Sequence, residues 1–339
     1  MPDRTDEIAR FLAHAGWGEA RRTVLAGDAS NRRYDRLVTA DGSRAVLMDA
    51  PADRGEDVRP FVRIAQHLSA CGLAAPEILA QDETRGFLLL EDLGDAIFAR
   101  VLERDPTLET DLYAGATDVL LKLHAAPRTP EVASYLPEMA DLSQLAWRWY
   151  RMEVDGAAEP AGRPARDAMQ NALDSLPPWE PVLILRDYHA ENLIWRPERI
   201  GTDRVALLDF QDARMGHPAY DLVSLLEDAR RDVSPEVQRQ MVDRYVAAAG
   251  TDREAFEAGY AVMGAQRNLR ILGVFARLSM HFGKPHYVDL IPRVWGHLQT
   301  DLAHPACAAL AAQVRATLPE PTPDHLKTLK DKCATIPHP

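Results

Sequence analysis

Cysteine is scarce in this chain of 339 residues: Cys71, Cys307 and Cys333 lie far apart and fit no paired-ligand spacing. Neither a disulfide framework nor a zinc site is suggested, and the thiols read as buried or incidental. Positive charge is also short. With 39 lysines and arginines against 51 acidic residues the formal charge is −12, which argues against a general nucleic-acid binder. No run approaches the roughly 18–20 consecutive apolar residues that a membrane span needs. The opening MPDRTDEIARFLAHAGW lacks the basic-then-apolar order of a signal peptide. The expectation is a cytoplasmic protein that meets neither membrane nor nucleic acid, and nothing points to a protein partner. What is present is enough apolar content, 46%, to fill two cores or one enzyme of two lobes.

Residues 4–17 place Ile8, Phe11, Leu12 and Ala15 on one helical face. From about Leu25 to Leu90 the pattern turns to short apolar or alternating runs: Gly27 to Val38, Ala45 to Met48, and Phe87 to Leu90, with Asp41-Gly42 as a turn. One helical stretch interrupts them, Arg59 to Cys71, with Phe61, Ile64, Ala65 and Leu68 on a single face. This predicts a small, mostly antiparallel sheet with one main helix. After Gly94 the chain reads as helical, beginning with the stripe Leu112, Ala116, Val119, Leu120 and Leu123, and resuming near Tyr220, Val237 and Glu254. The expected division is an N-terminal lobe of residues 1–92, a helical lobe of 93–318 and a loosely held Pro-rich tail of 319–339, an α+β architecture.

Two short apolar strands in the helical part, Val182 to Leu185 and Val205 to Leu208, each run into an aspartate. Asp187 is followed five residues later by Asn192, and Asp209 comes 22 residues after Asp187. Either aspartate alone reads equally well as a strand-end turn residue. Together with the asparagine they make the set that phosphoryl transfer needs. One aspartate accepts or orients the proton of an attacking hydroxyl, while the asparagine oxygen and the other aspartate hold Mg²⁺ on nucleotide phosphates.

Upstream, Gly27-Asp28-Ala29-Ser30-Asn31-Arg32-Arg33 is a stretch of small residues and donors flanked by strand-like segments. Its backbone amides suit phosphate oxygens, although an ordinary hairpin has the same look. The run Leu88 to Gly94 leaves the small sheet where the helical lobe starts, and the backbone of Leu90, Glu91 and Leu93 is placed to meet an adenine edge.

Small sheet with one helix, linker strand, helical lobe, then Asp-x-x-x-x-Asn and Asp-Phe: this order is similar to the protein-kinase-like fold, bilobal and α+β. More narrowly the chain resembles the aminoglycoside phosphotransferase and choline kinase family over about residues 20–300. The run from Leu185 to Leu222 is the specific part, including Gly216-His217-Pro218-Ala219-Tyr220-Asp221-Leu222. Within that family Gly27-Asp28-Ala29-Ser30, Met48-Asp49-Ala50-Pro51, Glu56 to Phe61 and Arg186-Asp187-Tyr188 look most like the bacterial cell-wall sugar kinases. The resemblance implies ATP and Mg²⁺ as cofactors. It implies an N-acetylated amino sugar as acceptor at its anomeric hydroxyl, in peptidoglycan recycling. It also implies Asp187 as base, Asn192 and Asp209 as magnesium ligands, Gly27 to Asn31 as phosphate loop, Leu90 to Leu93 as hinge, and Asp221 as a brace of the catalytic loop. An aminoglycoside or choline-like acceptor on the same fold, or a catalytically weak nucleotide-binding protein, stays open.

The chain departs from the pattern in one place. The third strand, Arg44 to Asp49, has no lysine, and the helix Arg59–Cys71 carries Arg63 but no glutamate. Either Arg32 or Arg33 replaces the missing cation, with Asp49 and Arg63 as a charge-reversed brace, or nucleotide binding is weakened. For the acceptor, Trp147, Tyr150 and Arg151 suit a sugar ring and a carboxylate, or else the two aromatics pack the core. Arg270 and Arg277, seven apart on a helix, suit an anionic sugar.

Overall fold

A computed structural model of the chain describes residues 4–27, 31–127, 130–152 and 158–337, with 26, 27 and 158–161 described by backbone alone. The chain forms two compact units, residues 1–130 with 191–213, and residues 131–190 with 214–339.

The first unit opens with α1 (Arg4–His14), followed by β1 (Arg21–Gly27), β2 (Arg33–Val38), β3 (Arg44–Asp49), α2 (Arg59–Ala70), β4 (Ile78–Asp82) and β5 (Phe87–Glu91). The five strands make one antiparallel sheet in the order β1-β2-β3-β5-β4. Period-two alternation sends Leu37, Ala45, Leu47, Phe87 and Leu89 to one face, where Ile8 and Leu12 of α1 cover them. Register pairs Tyr34 with Met48, Arg36 with Val46, and Met48 with Leu88, which places these side chains on the opposite face. The turn into β5 requires glycine: Gly86 has φ +73°, and a Cβ there would stand 1.9 Å from the Ala50 carbonyl oxygen.

Two helices, α3 (Phe98–Arg104) and α4 (Glu109–His124), complete this unit together with a hairpin drawn from much later in the chain. Had the division followed composition, α3 and α4 would have left the sheet at residue 92. Instead Asp92 is clamped by Arg36 at 2.8 Å and Arg44 at 2.9 Å. The buried stripe Leu112, Ala116, Val119, Leu120 and Leu123 of α4 packs within the first unit.

The second unit holds α5 (Leu136–Ser143), a π-helical turn (Ala146–Tyr150), α6 (Ala158–Asp174) and the short strand β6 (Val182–Ile184). The hairpin strands β7 (Leu193–Trp195) and β8 (Val205–Leu207) belong to the first unit; β9 (Arg214–Gly216) returns to pair with β6. Then come α7 (Ala219–Leu226), α8 (Pro235–Ala249), α9 (Arg253–Met280), α10 (Ile291–Leu302), α11 (Ala308–Thr317) and α12 (Pro323–Asp331). The 28-residue α9 is the spine of this unit, buried along most of its length, with α7, α10 and the π-helical turn against it.

The segment from 319 is not a loose tail. Thr322 accepts the His325 N–H as an N-cap, Pro323 sits at the first helical position, and α12 buries Leu329. Beyond α12, Ala334 and Ile336 donate their N–H groups to the carbonyls of Ser279 and Met280 at 3.1 Å. Proline at the start of a helix is pre-organised rather than disruptive, which is why composition alone misread it.

Candidate active site

Asp187 follows β6 directly and belongs to the second unit. Its backbone N–H returns to the Leu185 carbonyl at 2.9 Å, a tight turn centred on Arg186, whose φ of +71° lies in the left-handed region. Buried Asp221 of α7 holds that turn by accepting the N–H groups of Leu185 at 2.6 Å and Arg186 at 2.9 Å. Ser224 donates to the Arg186 carbonyl, and the Arg186 guanidinium lies 4.7 Å over the Tyr135 ring. Burial pushes the Asp221 carboxyl up to about 7, against the two N–H donors that pull it down. The brace expected from the sequence is present. Two of its parts, Ser224 and Tyr135, carried no sequence signal.

His189 is a buried neutral ring: burial first, then the charges of Arg230 and Arg267, push its imidazole down to about 3, while Asp187 pulls the other way. It supplies no positive charge at neutral pH.

Asn192 and Asp209 meet in the first unit, where the β7–β8 hairpin brings them together. The Leu208 N–H donates to the Asn192 carbonyl at 2.9 Å, and the Asn192 side-chain amide donates to one Asp209 oxygen at 3.3 Å. The other Asp209 oxygen accepts from Gln211 at 2.7 Å. Asp209 has φ +57°, so the chain turns sharply after β8. Phe210 is then buried against Phe61 of α2, ring centroids 4.8 Å apart. The hairpin itself is fixed by Leu207 N–H to the Ala74 carbonyl and Trp195 N–H to the Ala96 carbonyl, each at 2.8 Å.

The donor chemistry of this pair fits a hard divalent cation. Asn192 spends its amide nitrogen on Asp209, so its carbonyl oxygen is the end suited to a cation, and Asp209 is exposed. Among the described residues no group of three or more histidine, cysteine or acidic side chains is arranged to hold a metal ion by itself. Two hard oxygen donors are what magnesium takes when it arrives with phosphates and keeps its waters.

Of the expected phosphate loop, Asp28, Ala29 and Ser30 lie outside the described residues, and Gly27 closes β1 opposite Arg33. Asn31 and Arg32 are both tied to Glu56: the Asn31 N–H donates to it at 3.0 Å and the Arg32 guanidinium at 2.7 Å. Burial opposes the charge of Arg32, but Glu56 and Tyr34 outweigh it and hold the guanidinium above its ordinary value. Arg33 differs. It shares the buried Asp35 with Arg22, at 2.9 and 3.0 Å, on the sheet face of Leu37 and Leu47 that α1 covers. The expected brace of Asp49 with Arg63 is met on the Asp49 side by a different cation. Asp49 instead takes Arg4 of α1 at 2.5 Å, because β3 alternation turns it toward α1. At the hinge Leu90 is buried, the Glu91 carboxylate accepts the Glu77 N–H at 3.3 Å, and Leu93 is half-buried beside the clamped Asp92.

Trp147 and Tyr150 pack the core. The Trp147 indole donates to Thr317 at 2.9 Å and the Tyr150 hydroxyl to the Pro319 carbonyl at 2.8 Å, with His325 edge-on to the Tyr150 ring. These aromatics anchor the C-terminal segment. Arg151 follows them half-buried, and Arg270 lies half-buried on α9.

Comparison with known proteins gives the class first. The fold is protein-kinase-like. A choline/ethanolamine kinase family protein from Mesorhizobium loti superposes with TM-score 0.61 at 17% identity, covering 92% of this chain and 99% of its own. The ADP-bound aminoglycoside phosphotransferase APH(2'')-Ib gives 0.59 at 18%, covering 88% and 98%. The sequence model of the phosphotransferase enzyme family matches residues 21–260, and the chain belongs to that family. A protein of Caulobacter vibrioides named N-acetylmuramate/N-acetylglucosamine kinase is 42% identical, over 91% of this chain and 95% of that one. A protein of the same name from Pseudomonas aeruginosa is 33% identical over 91% and 93%.

Proposed function

We propose that this phosphotransferase is an ATP- and Mg²⁺-dependent kinase of N-acetylmuramic acid and N-acetylglucosamine that acts on the anomeric hydroxyl in peptidoglycan recycling. The observation that carries this reading is the 42% identity to the Caulobacter kinase over nearly the full length of both chains. A need for ATP puts the work in the cytoplasm in this reading. No helix among the described residues is long and apolar enough to cross a membrane.

The reaction converts ATP and the sugar to ADP, the sugar 1-phosphate and a proton. In this reading Asp187 accepts that proton from the attacking hydroxyl. A hemiacetal hydroxyl is more acidic than an ordinary alcohol, so an aspartate is a sufficient base. Asn192 and Asp209 hold the metal that, when bound, neutralises charge on the transferring phosphate. Asn31 and Arg32, fixed by Glu56, supply donors on the nucleotide side, and the Glu91 to Leu93 backbone receives the adenine edge. Most of the rate comes from positioning, which is why the Asp187 turn is held so closely by Asp221.

The test is transfer from ATP with Mg²⁺ to N-acetylmuramate, N-acetylglucosamine, kanamycin and choline, wild type beside Asp187→Asn. A 1-phosphate of the amino sugars, lost in the variant, is the expected result. Transfer to kanamycin or choline alone overturns the acceptor and keeps the class.

A further inference from the structure

Asp228 follows α7 in the second unit and is 1% exposed. One oxygen of its carboxylate accepts the Arg230 N–H at 2.8 Å, so the side chain closes the turn that its own backbone begins. The other oxygen is buried and has no hydrogen-bond partner among the described residues. A buried carboxylate oxygen left bare costs stability, and such an exception calls for a physical reason.

Cations stand on both sides of Asp228 and are used on its neighbours instead. Arg293 of α10 donates to the Ala229 carbonyl at 3.0 Å and gives the rest of its guanidinium to Asp232 at 2.6 and 3.1 Å. Arg267 of α9 reaches the Glu227 carbonyl at 3.5 Å. The residue is thus fixed before and after, while its second oxygen stays unclaimed. One turn beyond Arg293 on the same face of α10 is His297, whose Nε2 is also buried without a hydrogen-bond partner among the described residues. The charge of Asp228 reaches the His297 ring. Burial first, then Arg267 and Arg293, hold that imidazole below its ordinary value against the pull of Asp232 and Asp228, so the ring is neutral at neutral pH. This turn lies beside the catalytic loop: the charges of Arg230 and Arg267 both act on His189, two residues beyond Asp187.

A carboxylate oxygen only accepts, so what meets it is a hydroxyl, an amide N–H or an ammonium. The surrounding charges of Arg230, Arg267 and Arg293 oppose an ammonium and leave a neutral hydroxyl unpenalised. We propose that Asp228, with Nε2 of His297 as the second contact, accepts a hydrogen bond from a free ring hydroxyl of the amino-sugar acceptor, one that N-acetylmuramate and N-acetylglucosamine have in common. The inference rests on the kinase reading above. No proton is transferred at this subsite; it orients the sugar, and an acceptor without the hydroxyl leaves the carboxylate oxygen buried and bare.

The experiment measures kcat/KM at saturating ATP for N-acetylglucosamine and its 4-deoxy and 6-deoxy derivatives in wild type, Asp228→Asn and His297→Ala. Wild type turns over one of the two deoxy sugars about 100-fold or more worse than the parent. Asp228→Asn keeps an oxygen for the Arg230 N–H and loses the charged acceptor. It lowers kcat/KM for the parent roughly 10- to 100-fold and changes that for the discriminated deoxy sugar far less, so the preference collapses. His297→Ala moves the preference the same way by a smaller factor and carries the comparison if Asp228→Asn does not fold. A wild type that uses both deoxy sugars as well as the parent overturns the subsite without any variant. An equal loss on parent and deoxy sugars in Asp228→Asn also overturns it, since that marks a structural role. A wild type that phosphorylates kanamycin or choline and no amino sugar is a different failure: the kinase reading goes, and the subsite with it.

Discussion

The carboxylate of Asp221 accepts the backbone N–H of Arg186 at 2.9 Å, and that residue stands at φ +71° immediately before Asp187. A left-handed arginine persists only where its surroundings over-determine it. Asp221 therefore determines where Asp187 points. Asp221→Asn exchanges one acceptor oxygen for an NH₂ group facing N–H donors. The expected outcome is a fall in kcat of about 100-fold with KM for ATP little changed, together with about 1–3 kcal/mol of lost stability from a buried group left unsatisfied. Steady-state kinetics beside urea unfolding checks it; a parallel loss of ATP affinity would count against a role confined to the Asp187 turn.

The base and the metal pair should separate kinetically. Asp187→Asn removes a proton acceptor and is expected to lower kcat by about 10²–10⁴-fold with both KM values nearly unchanged. Asp209→Asn leaves one acceptor oxygen where Asn192 and Gln211 each donate to a separate one, and it removes the charge that a divalent cation needs. Its signature is a raised Mg²⁺ requirement, read from activity titrated with magnesium at fixed ATP. An Asp187 variant rescued by added magnesium would reverse the two assignments.

Much of this site was legible in the sequence because its chemistry is local. An apolar strand that runs into Asp187, a second that runs into Asp209, and Asn192 at a fixed offset need no long-range information. What the sequence left open was set by alternation and by distant partners. Whether Arg32 or Arg33 is free to serve the nucleotide depends on where β2 begins: Arg33 opens the strand and faces Asp35, while Arg32 precedes it and meets Glu56. Asp49 finds Arg4, 45 residues earlier, only because α1 lies on that face. The compact units differ from a cut at residue 92 for the same reason: the hairpin of β7 and β8 joins α3 and α4 from about a hundred residues away, and nothing near Gly94 announces it.

That difference between the two arginines yields a paired prediction about the missing strand lysine. In the proposed reading Arg32, held by Glu56 beside Asn31, is the cation that serves the nucleotide, whereas Arg33 is spent on Asp35. Arg32→Ala is expected to raise KM for ATP about tenfold, in keeping with loss of one charge-assisted contact. Arg33→Ala should stay within about twofold, because a half-exposed ion pair contributes little. Glu56→Gln should follow Arg32→Ala in direction and fall short of it in size. Nucleotide binding by calorimetry or KM for ATP reads all three, and an Arg33 effect as large as that of Arg32 overturns the assignment.

The last prediction concerns acid. The ring of His217 is buried at the start of the turn into α7, with Nδ1 accepting the Ala219 N–H at 3.1 Å and Trp179 edge-on at 4.8 Å. Gly259 of α9 allows this contact, since a Cβ there would stand 2.2 Å from the imidazole. Burial pushes the imidazole from 6.5 down to about 4. A folded-state pKa below the unfolded value means that the unfolded chain binds more protons between those limits. The stabilising effect is thus fully present above pH 6.5 and is lost as pH falls toward 4. Asp221 and Glu227, each raised to about 7 by burial, act in the opposite sense, so the slope of wild type alone does not isolate the histidine. The comparison with His217→Asn does, because asparagine keeps an acceptor for the Ala219 N–H and does not titrate. Above pH 6.5 the two unfolding free energies should differ by a constant. Between 6.5 and 4 the gap should close by up to ~1.4 kcal/mol per pH unit as wild type loses its advantage. Urea midpoints at pH 7.5, 6.0, 5.0 and 4.5 measure it, and curves that stay parallel through that window would mean that the ring takes up its proton as readily in the folded protein as in the unfolded chain.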